Sequence, residues 1–71
     1  MGPYVFYSGP NADPFTCEVL NTSSMKWYGT IVRTSDGRWK SVNGNTFDTP
    51  FGAAIDNESA GIFDKGRKNA N

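Results

Sequence analysis

Apolar and aromatic residues fall in short runs separated by turn-forming residues, which is the pattern of strands more than of helices. Pro3 to Tyr7 is the first run, and Ser8-Gly9-Pro10-Asn11-Ala12-Asp13-Pro14 ends it, because two prolines and a glycine cannot continue a ladder. Phe15 to Leu20 alternates and supplies a partner strand. Asn21-Thr22-Ser23-Ser24 is a polar turn, after which Lys26 to Thr34 reads as the longest strand, with β-branched Thr30, Ile31 and Val32. Ser35-Asp36-Gly37 predicts a three-residue hairpin loop whose last residue takes positive φ. That loop sets Arg33 opposite Trp39, Val32 opposite Lys40 and Ile31 opposite Ser41. Strict alternation then puts Trp27, Ile31 and Trp39 on one face and Tyr28, Thr30, Val32, Lys40 and Val42 on the other. A two-residue loop at Asp36-Gly37 is disfavoured, since it would oppose Arg33 and Lys40. Asn43-Gly44-Asn45 turns the chain again, into a short strand at Thr46-Phe47-Asp48.

The period changes after Asp48. Thr49 can cap a helix, Pro50 suits its first position, and Phe51, Ala54 and Ile55 recur at helical spacing, with Gly61 as the stop. About ten residues of helix do not survive alone, so Phe51 and Ile55 are expected to pack on the sheet, leaving Asp56 and Glu58 as a solvated face. The expected architecture is α+β: a small antiparallel meander of three to five strands with one short C-terminal helix packed on it. Residues 1–63 form the single domain, and residues 64–71 a mobile polar tail.

Composition narrows the chemistry. Seventy-one residues allow one core, hiding only about 60% of the surface of the unfolded chain. Histidine is absent, which removes the commonest general base and the commonest metal ligand. The single cysteine, Cys17, shares a face with Phe15 and Val19 and reads as a small buried hydrophobe; with no second cysteine it forms no internal disulfide, so a reducing, cytoplasmic setting is expected. No apolar run is long enough for a membrane span or a signal peptide. The acids are accounted for locally: Asp36 by its turn, Asp48 by the approach to the helix N-terminus. No glycine cluster forms a phosphate loop. No catalytic residue, cofactor or metal is expected, and the chain is not expected to be an enzyme.

Seven basic and seven acidic side chains sum to zero, but unevenly along the chain. Residues 26–42 carry Lys26, Arg33, Arg38 and Lys40 against Asp36, interleaved with Trp27, Tyr28 and Trp39. Cations for phosphates and rings for stacking make these four side chains candidate nucleic-acid contacts; a core role for the tryptophans accounts for the same residues. Ten aromatic rings exceed what so thin a core can hide. Tyr4, Phe6, Tyr7 and Tyr28 are therefore candidate protein-interface residues, and an open sheet edge offers a partner unpaired backbone groups. The favoured expectation is a small non-catalytic binding module that docks on a larger protein as an inhibitor or accessory factor. DNA binding through the hairpin cations is the alternative, followed by a self-assembling structural subunit of virion type, a homo-oligomer.

From Tyr28 to Gly61 the chain reads YGTIVRTSDGRWKSVNGNTFDTPFGAAIDNESAG. The order Ile31-Val32, Asp36-Gly37, Val42-Asn43-Gly44, Phe47, then Thr49-Pro50-Phe51-Gly52-Ala53-Ala54 resembles the small RAMA-type domain attached to restriction and modification enzymes. The resemblance spans about half the chain. It implies DNA contact through the hairpin cations and the helix start; the aromatic N-terminus and Ala60-Gly61-Ile62-Phe63 depart from the pattern.

Overall fold

The computed structural model describes residues 3–8 and 15–62; the proline-bearing loop and the polar tail lie outside them. Five strands run β1 (Tyr4–Tyr7), β2 (Thr16–Asn21), β3 (Lys26–Arg33), β4 (Trp39–Lys40) and β5 (Thr46–Phe47), followed by one helix, α1 (Pro50–Ser59). The strands pair antiparallel in chain order, an open meander with β1 and β5 at its edges. The α+β expectation holds.

The hairpin register also holds where the ladder forms. Thr34 N–H donates to Arg38 O at 2.8 Å and Gly37 N–H to Thr34 O at 3.0 Å, with Gly37 at φ 86. Val32 accordingly faces Lys40, and Arg33 faces Trp39. The next turn repeats the geometry seven residues on: Ser41 N–H donates to Asn45 O at 2.9 Å and Gly44 N–H to Ser41 O at 3.0 Å, with Gly44 at φ 91.

Two features depart from strict alternation. Between β2 and β3, Glu18 faces Thr30 but Leu20 faces Trp27, so β3 spends three residues where β2 spends two. Gly29, at φ 72, is in the extra stretch. A one-residue bulge exchanges the two faces. The core therefore contains Val19 and Ile31 with Tyr28 and Trp39 packed against them, while Trp27 stands with Leu20 on the opposite face. The expected Trp27–Ile31–Trp39 face is thus corrected at Trp27. Gly29 also leaves room that nothing larger could: a Cβ there would sit 2.8 Å from Ile62 Cγ2.

The second departure is at Ile31. The β3–β4 ladder ends at Val32 and Lys40, before the expected Ile31–Ser41 pair, and beyond it the buried side chain of Asn57 bridges the two strands. Asn57 Nδ2 donates to Tyr28 O at 2.9 Å and Thr30 O at 3.0 Å, and its Oδ1 accepts from Val42 N–H at 2.9 Å. One side chain thus satisfies three backbone groups that the interrupted ladder leaves over.

The helix begins and ends as its sequence dictates. Thr49 is the cap, its hydroxyl accepting from Gly52 N–H at 3.4 Å, and Pro50 follows at the first position. At the other end Ile62 N–H donates to Asn57 O at 2.9 Å and Gly61 N–H to Glu58 O at 3.1 Å, the two bonds of a Schellman stop. Its packing face differs from the expected one. Ala53, Ala54 and Asn57 are buried, whereas Ile55 is 50% exposed. Small residues bring the helix so close to the sheet that a Cβ on Gly52 would lie 2.8 Å from Phe47, and the bulkier Ile55 is turned out.

Asp56 and Glu58 are not a solvated face either. Asp56 Oδ2 accepts from Ser41 Oγ at 2.5 Å and from the side-chain amides of Asn45 at 3.2 Å and Asn43 at 3.4 Å. Glu58 Oε1 accepts from the Tyr4 hydroxyl and from Asn21 Nδ2 at 3.2 Å. Three consecutive helix residues thereby tie down three parts of the sheet.

Candidate functional site

The strongest candidate is the free edge of β1 with the sheet face that α1 leaves open. Thr22 N–H donates to Pro3 O at 2.7 Å, which sets the phase of the ladder. Pro3, Val5 and Tyr7 then direct their backbone groups at β2, and the N–H and C=O of Tyr4 and Phe6 point outward along the edge. No other strand among the described residues pairs there.

The side chains alternate the other way. Phe6 meets Phe51 edge to face at 5.3 Å, and Tyr4 bonds Glu58, so both lie on the helix side and are half-buried. Val5 and Tyr7 stand on the open face, 39% and 45% exposed. Beneath them are buried Leu20, opposite both Val5 and Trp27, and Trp27 itself, whose ring lies 5.5 Å from that of Tyr7. The edge thus offers backbone groups flanked by apolar side chains over a buried floor.

The four interface residues expected from sequence divide accordingly. Tyr7 is exposed on the open face; Tyr4 and Phe6 contribute outward backbone while their rings support the helix; Tyr28 packs against the core. Sequence reasoning passed over Val5, whose signal was its alternation with Tyr4 and Phe6. Tyr4 makes a poor base: burial, then the bond to Glu58, pushes its phenol up to about 12.

Of the hairpin cations, Arg33, Arg38 and Lys40 share one end of the β3–β4 hairpin, where Arg33 is opposite Trp39, and Lys26 stands apart from them. Lys26 and Arg33 end β3 about 20 Å apart. Arg33 lies over the Trp39 ring at 5.9 Å. Arg38 is paired with Asp48 and donates to Thr46 O at 3.2 Å, bracing β5. Lys40 is opposite Val32 and alternates with Trp39, which puts it on the open face. Near that end Phe15, Val32, Arg33 and Ser35 line a hollow of about 340 Å³.

Cys17 is half-buried with its Sγ 3.9 Å from Ser8 Oγ. Among the described residues, no three Cys, Asp or Glu side chains converge as metal ligands would, and no helix is long and apolar enough to cross a membrane. No family model matches the chain, and neither the curated proteins nor the solved structures include a match to it.

Proposed function

We propose that this chain is a non-catalytic binding module that docks on a larger protein by accepting a strand of that protein onto β1. The observation that carries the reading is the coincidence on one strand of outward backbone groups, at Tyr4 and Phe6, with exposed apolar side chains, at Val5 and Tyr7. Backbone bonds supply affinity in strand addition, and side chains of alternate residues supply selectivity. The nucleic-acid alternative has less behind it, because Arg38 is committed to Asp48 and Thr46 and Arg33 to Trp39.

A single backbone edit tests this. A chain joined by ligation at Cys17 can carry an N-methyl group on the Phe6 nitrogen, which removes one outward donor and leaves the β1–β2 ladder intact. A protein captured by the unmodified chain after nuclease treatment should then bind the N-methylated chain at least tenfold more weakly, with the unfolding temperature unchanged. Equal binding by both chains would remove the edge from consideration. Affinity that collapses with added salt and follows nucleic acid instead of protein would favour the hairpin cations.

A further inference from the structure

The outward groups of β1 have a symmetry of their own. Tyr4 and Phe6 lie one residue either side of Val5, and each presents one N–H and one C=O away from β2. A second copy of the edge, antiparallel and related by a two-fold axis through Val5, puts Tyr4 opposite Phe6 of the other copy and Phe6 opposite its Tyr4. All four N–H groups then donate to the four carbonyls, and none is left over. Val5 meets its own counterpart in the intervening non-hydrogen-bonded pair, where side chains approach most closely.

Charge favours the same occupant. Edge strands are normally guarded by a charged side chain, a proline inside the strand or a bulge. Tyr4–Tyr7 has none of these, and residues 1–12 contain no charged side chain at all. The opposite edge is different: Asp48 and Arg38 flank β5. With a formal net charge of zero, two copies experience no overall repulsion. Joining the edges also continues the open face across the axis, so that the exposed Val5 and Tyr7 of both copies fall in one band.

We infer that β1 is a self-pairing edge, on which two copies of this chain form an antiparallel dimer centred on Val5 and ten strands wide. The inference concerns the same edge as the docking reading and adds its state when no partner is present: the second copy covers the edge, and a partner strand must displace it. A four-residue strand buries less than the ~800 Å² per partner of a standard interface. The dimer is therefore an exchanging one, of the transient class.

Sedimentation of the unsubstituted chain tests the association, and a cysteine pair tests its register. From about 5 to 500 µM the weight-average mass should rise from that of one chain, 7.8 kDa, toward twice that value. N-methylation at Phe6 should hold it at the monomer. In a Cys17→Ser background, Val5→Cys puts two thiols opposite each other with Cα atoms about 4.5 Å apart, within disulfide reach; oxidation should give a covalent dimer. Tyr7→Cys is the control, since its two copies would be about 13 Å apart. A chain that remains monomeric across the range overturns the inference. Dimerisation in which Val5→Cys links no faster than Tyr7→Cys overturns the Val5-centred pairing. A monomer whose capture of a larger protein is still weakened by N-methyl-Phe6 would sink the dimer alone, and a dimer whose partner ignores that methyl group would sink the docking reading alone.

Discussion

Replacing Asn57 by alanine isolates the most concentrated set of interactions in the domain. The side chain is fully buried; its amide donates to Tyr28 O and Thr30 O and accepts from Val42 N–H, all within 3.0 Å. Truncation strands two carbonyls and one N–H, each costing about 1–3 kcal/mol if water cannot reach it. Thr30 and Val42 are themselves exposed residues, so the lower part of that range applies, and about 3 kcal/mol in total is expected. A 71-residue domain has about 4–10 kcal/mol of stability altogether. In urea, with m about 1 kcal/mol/M for so small a protein, the midpoint should fall by about 3 M. Ile55→Ala, on the same helix, is the comparison: half of that side chain is exposed, and a midpoint shift of at most about 1 M is expected. If Ile55→Ala costs more than Asn57→Ala, the helix is held by its apolar residue after all and the wedge reasoning is refuted.

Gly29→Ala should cost about 2 kcal/mol or more, because the residue is at φ 72 and the new methyl meets Ile62. Gly44→Ala, at φ 91 with open space around it, should cost about 1 kcal/mol; combining Gly29→Ala with Ile62→Ala should recover part of the larger loss, and chemical denaturation of the three variants reads the difference. Hydrogen bonds from Ser41, then Asn45 and Asn43, hold the Asp56 carboxyl below the usual range against the opposing effect of burial, so its contribution is complete above the unfolded carboxyl range and is lost as pH falls through the lowered folded value. Asp56→Asn should flatten the acid limb of a stability–pH curve below about pH 4, and an unchanged limb would contradict that account. At the other extreme, a Tyr4 phenol near 12 in the folded chain and near 10 in the unfolded one contributes fully below pH 10 and loses its contribution as pH rises toward 12. Ultraviolet titration should show a late tyrosinate step that Tyr4→Phe abolishes.

The local instructions were legible in the chain. Proline, glycine and Asx residues mark the turns, Thr49-Pro50 opens the helix and Gly61 closes it, and the loop ending at Gly37 dictates the Arg33–Trp39 pairing. These are decisions within a few residues, made by backbone sterics and short-range hydrogen bonds, and they require no knowledge of what packs where. The alternation that exposes Val5 and Tyr7 was equally readable, as was the absence of charge along the first strand.

Tertiary structure decided the rest, where several good local options competed. Whether Trp27 faced the helix depended on a bulge at Gly29, and the bulge is held because Ile62 fills the space beside it and Asn57 takes up the carbonyls around it. Both residues arrive from the far end of the chain. In the same way, Ile55 was the better apolar anchor by type, yet the close approach over Gly52, Ala53 and Ala54 turned it outward. Short-range preferences can be read residue by residue; the faces of a sheet cannot, because a single extra residue exchanges them and only long-range packing determines where that residue goes.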